Sequence, residues 1–176
     1  MFSQKWISKI KKEYGFLLKP ILKFLDDNGV EPNVVTAFSL LFGVLAFYFL
    51  FLNHILFVIF GILHLICDII DGNLARFRNR ETKFGYYFDY ISDRTVHVLL
   101  LIKVAGAVNP FWAMLCWLAV FLLIIHHAMH LFVRKDIVFF SRTATLIILM
   151  FGFNILALAV SLVVTILGLL SQLRKK

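Results

Sequence analysis

Several stretches of this chain run to the ~20 apolar residues that a helix needs to cross a bilayer, with only short polar or basic breaks between them. Residues of the AVILMFWYC set fill 61% of the 176 positions, and charged residues fill 16%. A water-soluble core of this size could not bury that much apolar surface, so lipid must cover it. Barrel strands alternate apolar and polar residues, which unbroken runs do not. The chain is therefore predicted to be an all-α integral membrane protein.

Six transmembrane helices fit these apolar stretches. We place them near residues 33–53, 55–77, 83–105, 110–133, 137–153 and 155–173. The break from Gly152 to Asn154 is the weakest, and one long helix over 143–173 would give five spans instead. Six spans put both termini and the basic loops at 76–83 and 134–136 on one side. We therefore predict a multi-pass protein of the cell membrane with both termini in the cytoplasm.

The first 28 residues differ from the rest, because apolar and basic residues take opposite faces of a predicted helix. Apolar side chains recur every three or four positions from Phe2 to Leu25, and lysines recur on the other face. Such a helix lies flat in the membrane interface. We predict an amphipathic juxtamembrane helix at 1–28 and a six-helix transmembrane domain at 29–176. Membrane orientation accounts for the formal charge of +8, so we expect no nucleic-acid partner.

Four of the ten acidic residues lie inside two of the apolar stretches: Asp68 and Asp71 in the second span, Asp89 and Asp93 in the third. An ionised carboxylate costs roughly 2.5–3.5 kcal/mol at the bilayer centre, so cations or water must offset these four. Steps of three and four return to the same face of a helix, so the two pairs can converge. Converging carboxylates favour hard divalent cations such as Mg²⁺, Mn²⁺ or Ca²⁺. Two such ions suit phosphoryl transfer.

Small and basic residues share the helix faces of the aspartates. Gly72, Ala75 and Gly85 leave room for a bulky group to approach the backbone. Arg76 can bind phosphate. Because the acids lie within about 10–15 Å of the loop between their helices, we expect the pocket to open to the cytoplasm.

Together these residues form a motif that resembles the signature of the CDP-alcohol phosphotransferase family. It reads Asp68-x-x-Asp71-Gly72-x-x-Ala75-Arg76, eight residues, Gly85, three residues, Asp89, three residues, Asp93. All eight fixed residue types stand at the signature spacing. The Pro32-Asn33-x-x-Thr36 start of the first span is also similar to the family.

The resemblance implies a homodimeric enzyme that transfers a phosphate-linked group from a CDP-alcohol to a hydroxyl acceptor and releases CMP. It implies that Asp68, Asp71 and Asp89 hold two divalent ions, Mg²⁺ or Mn²⁺. It also implies that Asp93 touches one ion and acts as the general base. The short chain favours a lipid-linked donor, CDP-diacylglycerol or CDP-archaeol. The residues implied to border the CDP moiety are Pro32, Asn33, Gly72, Ala75, Arg76, Thr82 and Gly85.

Two arginines are candidates for the site of the acceptor, a small polar alcohol. Arg94 follows Asp93 directly, and this Asp-Arg pair resembles family members that use inositol phosphate. Arg142, near the start of the fifth span, is either an acceptor-site cation or an anchor that snorkels to the cytoplasmic surface. If Arg94, Arg134 and Arg142 all face the pocket, the acceptor carries a phosphate, as in glycerol 3-phosphate or an inositol phosphate. Serine is the alternative.

Other interpretations of the aspartates are an ion-pair network between helices and the ion path of an ion-coupled transporter. A transporter predicts acids at the midplane and broken spans, whereas these acids cluster toward one face. His64 and His97 lie one turn from the acids on the same faces. Each is either hydrogen-bonded to a carboxylate or a packing histidine.

Overall fold

The protein is described here by a computed structural model that covers residues 18–133 and 141–173. Every element in these two ranges is an α-helix, as predicted. Most of the predicted amphipathic helix at 1–28 and the predicted basic loop at 134–136 lie outside these ranges. The helices are α1 at 18–27, α2 Pro32–Phe49, α3 His54–Phe77, α4 Lys83–Ala105, α5 Pro110–Val133, α6 Ser141–Met150 and α7 Asn154–Leu173.

Three helix ends coincide with residues that accept a left-handed backbone conformation. Gly29 (φ 70°), Asn79 (φ 51°) and Gly152 (φ 80°) each follow the last turn of a helix. After Gly152, the amide of Phe153 donates a 3.2 Å hydrogen bond to a carbonyl of the last turn of α6. This geometry closes a helix and satisfies its open carbonyls. α6 and α7 are therefore separate, and the alternative of one long helix over 143–173 is wrong.

Four helices in the described ranges are long and apolar enough to cross a membrane. Large apolar side chains on them face outward, for example Ile55 at 71% exposed and Met114 at 62%, as in lipid-facing helices. The chain is a multi-pass membrane protein. α4 is not one of the four because charged residues interrupt it, and the described α6 has only 10 residues. The four spans are α2, α3, Pro110–Met129 of α5 and Asn154–Ser171 of α7.

The packing leaves a gap between α3 and α4 at one end of the bundle. α2 packs against both of these helices, and α6 contacts both. α3 and α4 are not themselves among the closely packed helix pairs in the described ranges. The main apolar core, which includes the fully buried Phe57, Leu100 and Leu146, lies toward the opposite end. The aspartates therefore lie outside this core, near the α3–α4 loop.

The described part of α1 is tied to the same end of the bundle. Leu22 is buried in a small cluster with Val35 of α2 and Leu74 of α3. Arg78, just after α3, donates from Nε to Asp26 Oδ1 at 2.5 Å. α1 is thus fixed beside the α3–α4 loop.

Lys103, near the end of α4, binds the C-terminal carbonyls of α2. Its Nζ donates to the carbonyl oxygen of Phe47 at 2.6 Å and to that of Tyr48. The ammonium satisfies acceptors that the helix end leaves open and complements the helix dipole.

We expect Lys103→Met to lower the free energy of unfolding by about 1–2 kcal/mol, because the charged donor is lost while the apolar stem is kept. Equilibrium unfolding in detergent micelles measures this change. Lys103→Arg keeps a cation and should lose less. An unchanged unfolding midpoint for Lys103→Met would contradict the capping role.

Candidate active site

Three carboxylates from two helices form one group, the carboxylate cluster: Asp68 and Asp71 of α3 and Asp89 of α4. One oxygen from each lies within 4.8 Å of the others. Asp71 is the most buried of the three, at 3% exposed. Its Oδ2 accepts a 2.7 Å hydrogen bond from the Thr36 hydroxyl of α2. The periodicity of both helices, together with the gap between them, therefore brings these acids to one point.

The donor set of the carboxylate cluster fits a divalent metal ion. Its oxygens are hard ligands of the kind that Mg²⁺ and Mn²⁺ prefer. Their spacing allows one ion to contact all three, and their mutual repulsion in a low-dielectric site favours a cation between them. Asp93 is not part of this group in the structure, although the sequence pattern placed it with the other three.

Asp93 instead pairs with Arg142, which reaches into the gap from α6. Arg142 donates from Nη2 to Asp68 Oδ2 at 2.5 Å and from Nη1 to Asp93 Oδ1. Arg142 is only 5% exposed. The interpretation of Arg142 as an anchor that snorkels to the surface is therefore wrong, because its guanidinium turns inward to the acids.

A cavity of about 450 Å³ lies beside the carboxylate cluster, with Asp71 and Asp89 in its wall. The cavity is bordered by the first turns of α2 and α4, the last turns of α3 and the α3–α4 loop. Arg78 and Arg80 add positive charge to it, and Glu31 and Glu81 also line it. All seven residues that the resemblance assigns to the CDP moiety line this cavity, namely Pro32, Asn33, Gly72, Ala75, Arg76, Thr82 and Gly85.

Gly85 of α4 lies in the cavity wall, close to the start of α2. A Cβ at this position would lie 3.0 Å from Asn33 Oδ1 and 3.1 Å from Thr82 Oγ1. Thr82 caps α4, since its hydroxyl oxygen accepts a 3.0 Å hydrogen bond from the Gly85 amide. A larger residue at Gly85 would therefore push into this wall or into the cavity.

Arg94 and His97 contact residues other than the four aspartates. The Arg94 guanidinium lies 5.0 Å from the centroid of the Tyr90 ring, a cation–π distance. Within the described ranges, no ion pair joins Arg94 to the four aspartates. His97 Nε2 lies 3.1 Å from Ser161 Oγ of α7. The interpretation of His97 as a packing histidine therefore fits the structure. The described contacts of Arg94 do not include an ion pair with the acids.

Some residues at the site were not assigned from the sequence. Thr36 carries a signal, because it lies one turn after Pro32 and therefore on the same helix face. Ser39 of α2, whose hydroxyl donates to the carbonyl of His64, and Arg78 carry none, since neither belongs to a spaced motif. Their positions follow from the packing of α1 and α2 against α3.

Comparison with known proteins connects this geometry to a family. A family model described as CDP-alcohol phosphatidyltransferase matches residues 30–173. An archaetidylinositol phosphate synthase from Pyrococcus horikoshii is 34% identical over 100 residues, which cover 56% of this chain and 53% of that protein. A CDP-diacylglycerol–inositol 3-phosphatidyltransferase from Rattus norvegicus is 30% identical over 104 residues, covering 57% and 46%.

A third relative is a CDP-diacylglycerol–glycerol-3-phosphate 3-phosphatidyltransferase from Wigglesworthia glossinidia brevipalpis. It is 34% identical over 85 residues, which cover 46% of this chain and 47% of that protein. The chain spans about half the length of the curated relatives it matches.

Proposed function

Because the chain belongs to the CDP-alcohol phosphatidyltransferase family, we propose that it transfers a phosphatidyl-type group from a CDP-linked lipid to the hydroxyl of a small polar alcohol and releases CMP. The proposed donor is CDP-diacylglycerol or CDP-archaeol, so the reaction belongs to phospholipid biosynthesis. One observation carries the proposal. Two members of the carboxylate cluster, Asp71 and Asp89, form part of the wall of a cavity of about 450 Å³ that also presents three arginines.

The cavity suits the CDP part of the donor. Arg76 and its neighbours can donate charge-assisted hydrogen bonds to phosphate oxygens. Gly72 and Gly85 keep side chains out of the wall, which allows a nucleotide to approach the backbone. Asn33 and Thr82 supply neutral polar groups at the start of α2 and α4. On this basis we assign to donor binding the seven cavity residues that the family resemblance places beside the CDP moiety.

Asp68, Asp71 and Asp89, with Asp93 beside them, are proposed to hold two divalent ions, Mg²⁺ or Mn²⁺. Such ions, when bound, neutralise phosphate charge and make the phosphorus more open to attack. The hydrogen bond from the Thr36 hydroxyl orients the carboxylate of Asp71.

Asp93 is proposed to act as the general base. The acceptor oxygen forms a bond to the lipid-linked phosphorus, and the bond from that phosphorus to the oxygen of CMP breaks. The acceptor proton passes to the carboxylate of Asp93, and CMP leaves with the electron pair. Arg142 orients this carboxylate through its hydrogen bond to Oδ1.

The acceptor is proposed to carry a phosphate, as in glycerol 3-phosphate or an inositol phosphate. The support is the buried Arg142 cation beside Asp93 and the relatives named for inositol, archaetidylinositol phosphate and glycerol 3-phosphate. Arg94, one residue from Asp93, is a second candidate for contact with that phosphate. Serine, which has no phosphate for either arginine to bind, is the alternative acceptor.

We expect Arg142→Ala to raise the Michaelis constant for the acceptor. The factor of this increase should be at least about ten times the factor by which the Michaelis constant for the donor changes. An arginine–phosphate hydrogen bond contributes about 1.5–3 kcal/mol, enough for that ratio. CMP release at varied concentrations of each substrate measures both constants. Arg80→Ala, in the cavity wall, should show the reverse pattern. A rise confined to the donor constant in Arg142→Ala would move Arg142 to the donor site.

The membrane arrangement is part of the proposal. We propose six spans in a unit at 29–176, an interfacial helix at 1–28, and a homodimer with its termini and active site in the cytoplasm. The basic residues of the α3–α4 loop beside the cavity support this orientation. Labelling of single cysteines introduced into the loop at 78–82, from either side of sealed vesicles, tests it.

One assay tests the proposed reaction. Purified protein in micelles receives CDP-diacylglycerol or CDP-archaeol, Mg²⁺ or Mn²⁺, and glycerol 3-phosphate, an inositol phosphate or serine in turn. We expect CMP to appear with one phosphorylated acceptor. CMP release with serine alone would correct the acceptor, and none with any pair would contradict the proposed reaction.

A further inference from the structure

Arg78, the residue that follows α3, is held by the end of α1 through one edge of its guanidinium. Its Nε donates to Asp26 Oδ1 at 2.5 Å. Its Nη2 donates to the carbonyl oxygen of Asp26 at 3.2 Å and to that of Leu25 at 3.4 Å. These carbonyls lie in the last turn of α1, where the helix dipole favours a cation. The Arg78 side chain is only 10% exposed.

The backbones on both sides of this contact are fixed. α1 closes at Gly29 (φ 70°), whose amide donates to the carbonyl of Asp26 at 2.9 Å. Leu22 of α1 is buried in the same small apolar cluster as Leu74 of α3. On the other side, the Arg78 amide donates to the carbonyl of Leu74 at 3.1 Å. The ion pair therefore joins two ordered helix ends, which lowers the entropy cost that weakens most surface ion pairs.

The other edge of the Arg78 guanidinium is available to a ligand. A guanidinium presents its N–H groups as a rigid fork, and an edge of that fork matches two oxygens of a phosphate. The bonds to α1 use the edge formed by Nε and Nη2. Within residues 18–133 and 141–173, Nη1 of Arg78 makes no hydrogen bond. Because Arg78 lines the cavity of about 450 Å³, the edge formed by Nη1 and Nη2 remains for an anion there.

Arg76 and Arg80, the other two arginines of the cavity wall, are held less firmly. Both are exposed. Arg76 donates to Asn73 of its own helix at 3.3 Å, and Arg80 has no ion pair in the part of the chain that the structure describes. A ligand must order a long exposed side chain when it binds, whereas a side chain that is already oriented avoids this cost. Arg78 is therefore the best pre-organised of the three arginines.

We propose that Asp26 is a positioning residue that, with the end of α1, orients Arg78 to bind a phosphate of the CDP-linked donor. The inference rests on the proposed function for the identity of this anion. Asp26 is not part of the cavity wall, so it acts through Arg78 alone. α1 thereby contributes to donor binding although none of its described residues lines the cavity.

The test compares Asp26→Ala with the matched control Asp27→Ala. Asp27 is the next residue of α1, is exposed, and forms no ion pair among the described residues. Each variant removes one negative charge from the same helix end, and loss of that charge alone favours binding of an anion. Loss of positioning weakens binding instead, so the two causes have opposite signs. The readout is binding of CDP to the full chain in micelles with Mn²⁺, measured by isothermal titration calorimetry.

We expect Asp26→Ala to raise the dissociation constant of CDP about three- to tenfold, because Arg78 must then be ordered by the ligand. Asp27→Ala should change it less than about twofold, since an exposed charge is screened. Asp26→Asn keeps a neutral acceptor for Nε and should fall between them. In the Arg78→Gln background, Asp26→Ala should have no further effect. Mn²⁺ affinity and the Michaelis constant for the acceptor should stay within about twofold of the native values.

Unchanged or tighter CDP binding in Asp26→Ala would overturn the proposal. So would an equal loss in the Arg78→Gln background, or an equal loss of Mn²⁺ affinity, because either would show that Asp26 only keeps α1 in place. If the native protein does not bind CDP, the proposed function and this inference are both wrong. If CDP binding shows the expected coupling but no acceptor yields CMP, the proposed reaction is wrong and the positioning role stands.

Discussion

Asp93→Asn should reduce CMP release by roughly 10²- to 10⁴-fold, the usual contribution of a general base. The amide cannot take the acceptor proton. Its Oδ1 can still accept the hydrogen bond from Arg142, so the local packing should persist. Mn²⁺ binding and donor binding should remain within a few-fold of those of the native protein. Single-turnover CMP release, measured beside Mn²⁺ titration, separates these effects.

The control for Asp93→Asn is Thr95→Val on the same helix. Thr95 is exposed, and its hydroxyl donates to the carbonyl of Ile91 one turn before it. This variant should turn over at nearly the native rate. A nearly native rate in Asp93→Asn would remove Asp93 as the base. If Asp93→Asn lost both turnover and Mn²⁺ binding, the main role of Asp93 would instead be that of a metal ligand.

The sequence was sufficient for the local features of the fold. Helix periodicity and turn residues act over a few positions, so the ends of α4 at Lys83 and Ala105 and the break at Gly152 could be located directly. The number of spans could not be settled in this way. α4 carries acidic and basic residues of the site. These charges lower its mean hydropathy, so α4 does not stand out as a membrane span although it is long enough to be one.

The short range of sequence patterns also explains which parts of the site could be predicted. The carboxylate cluster and the cavity lining depend on spacing along two helices joined by a short loop, and the structure brings those residues together. Arg142 depends on contacts 49 to 78 positions away along the chain, with Asp93 and His64. Those contacts are set by the placement of α6 beside the gap, which no spacing within α6 reveals.

The gap itself was also hidden in the sequence. A short loop joins α3 and α4, yet in the described ranges these two helices do not pack closely on each other, and α2 and α6 contact both of them instead. The acids then meet across open space. Such a space is what a nucleotide and its cations require, so the departure from close packing coincides with the proposed site.

Asp71→Asn is expected to lower Mn²⁺ affinity by about 100-fold or more, since loss of even an outer partner of a metal ligand costs about 10- to 100-fold. Asp71 is the most buried acid of the carboxylate cluster, and Thr36 orients it. Thr36→Val removes that hydrogen bond and keeps the shape of the side chain, so it should cost about tenfold. CMP release should fall in the same order.

Asp27→Asn is the matched control, because it removes one exposed carboxylate in α1 outside the cluster. It should leave Mn²⁺ affinity unchanged. The comparison also decides between a metal site and an ion-pair network of the aspartates. In a network, Asp71→Asn would change the unfolding midpoint and leave Mn²⁺ affinity as it was. In a metal site, relief of repulsion among three acids should keep or raise stability without metal, while the stabilisation that Mn²⁺ gives by binding the native state is lost.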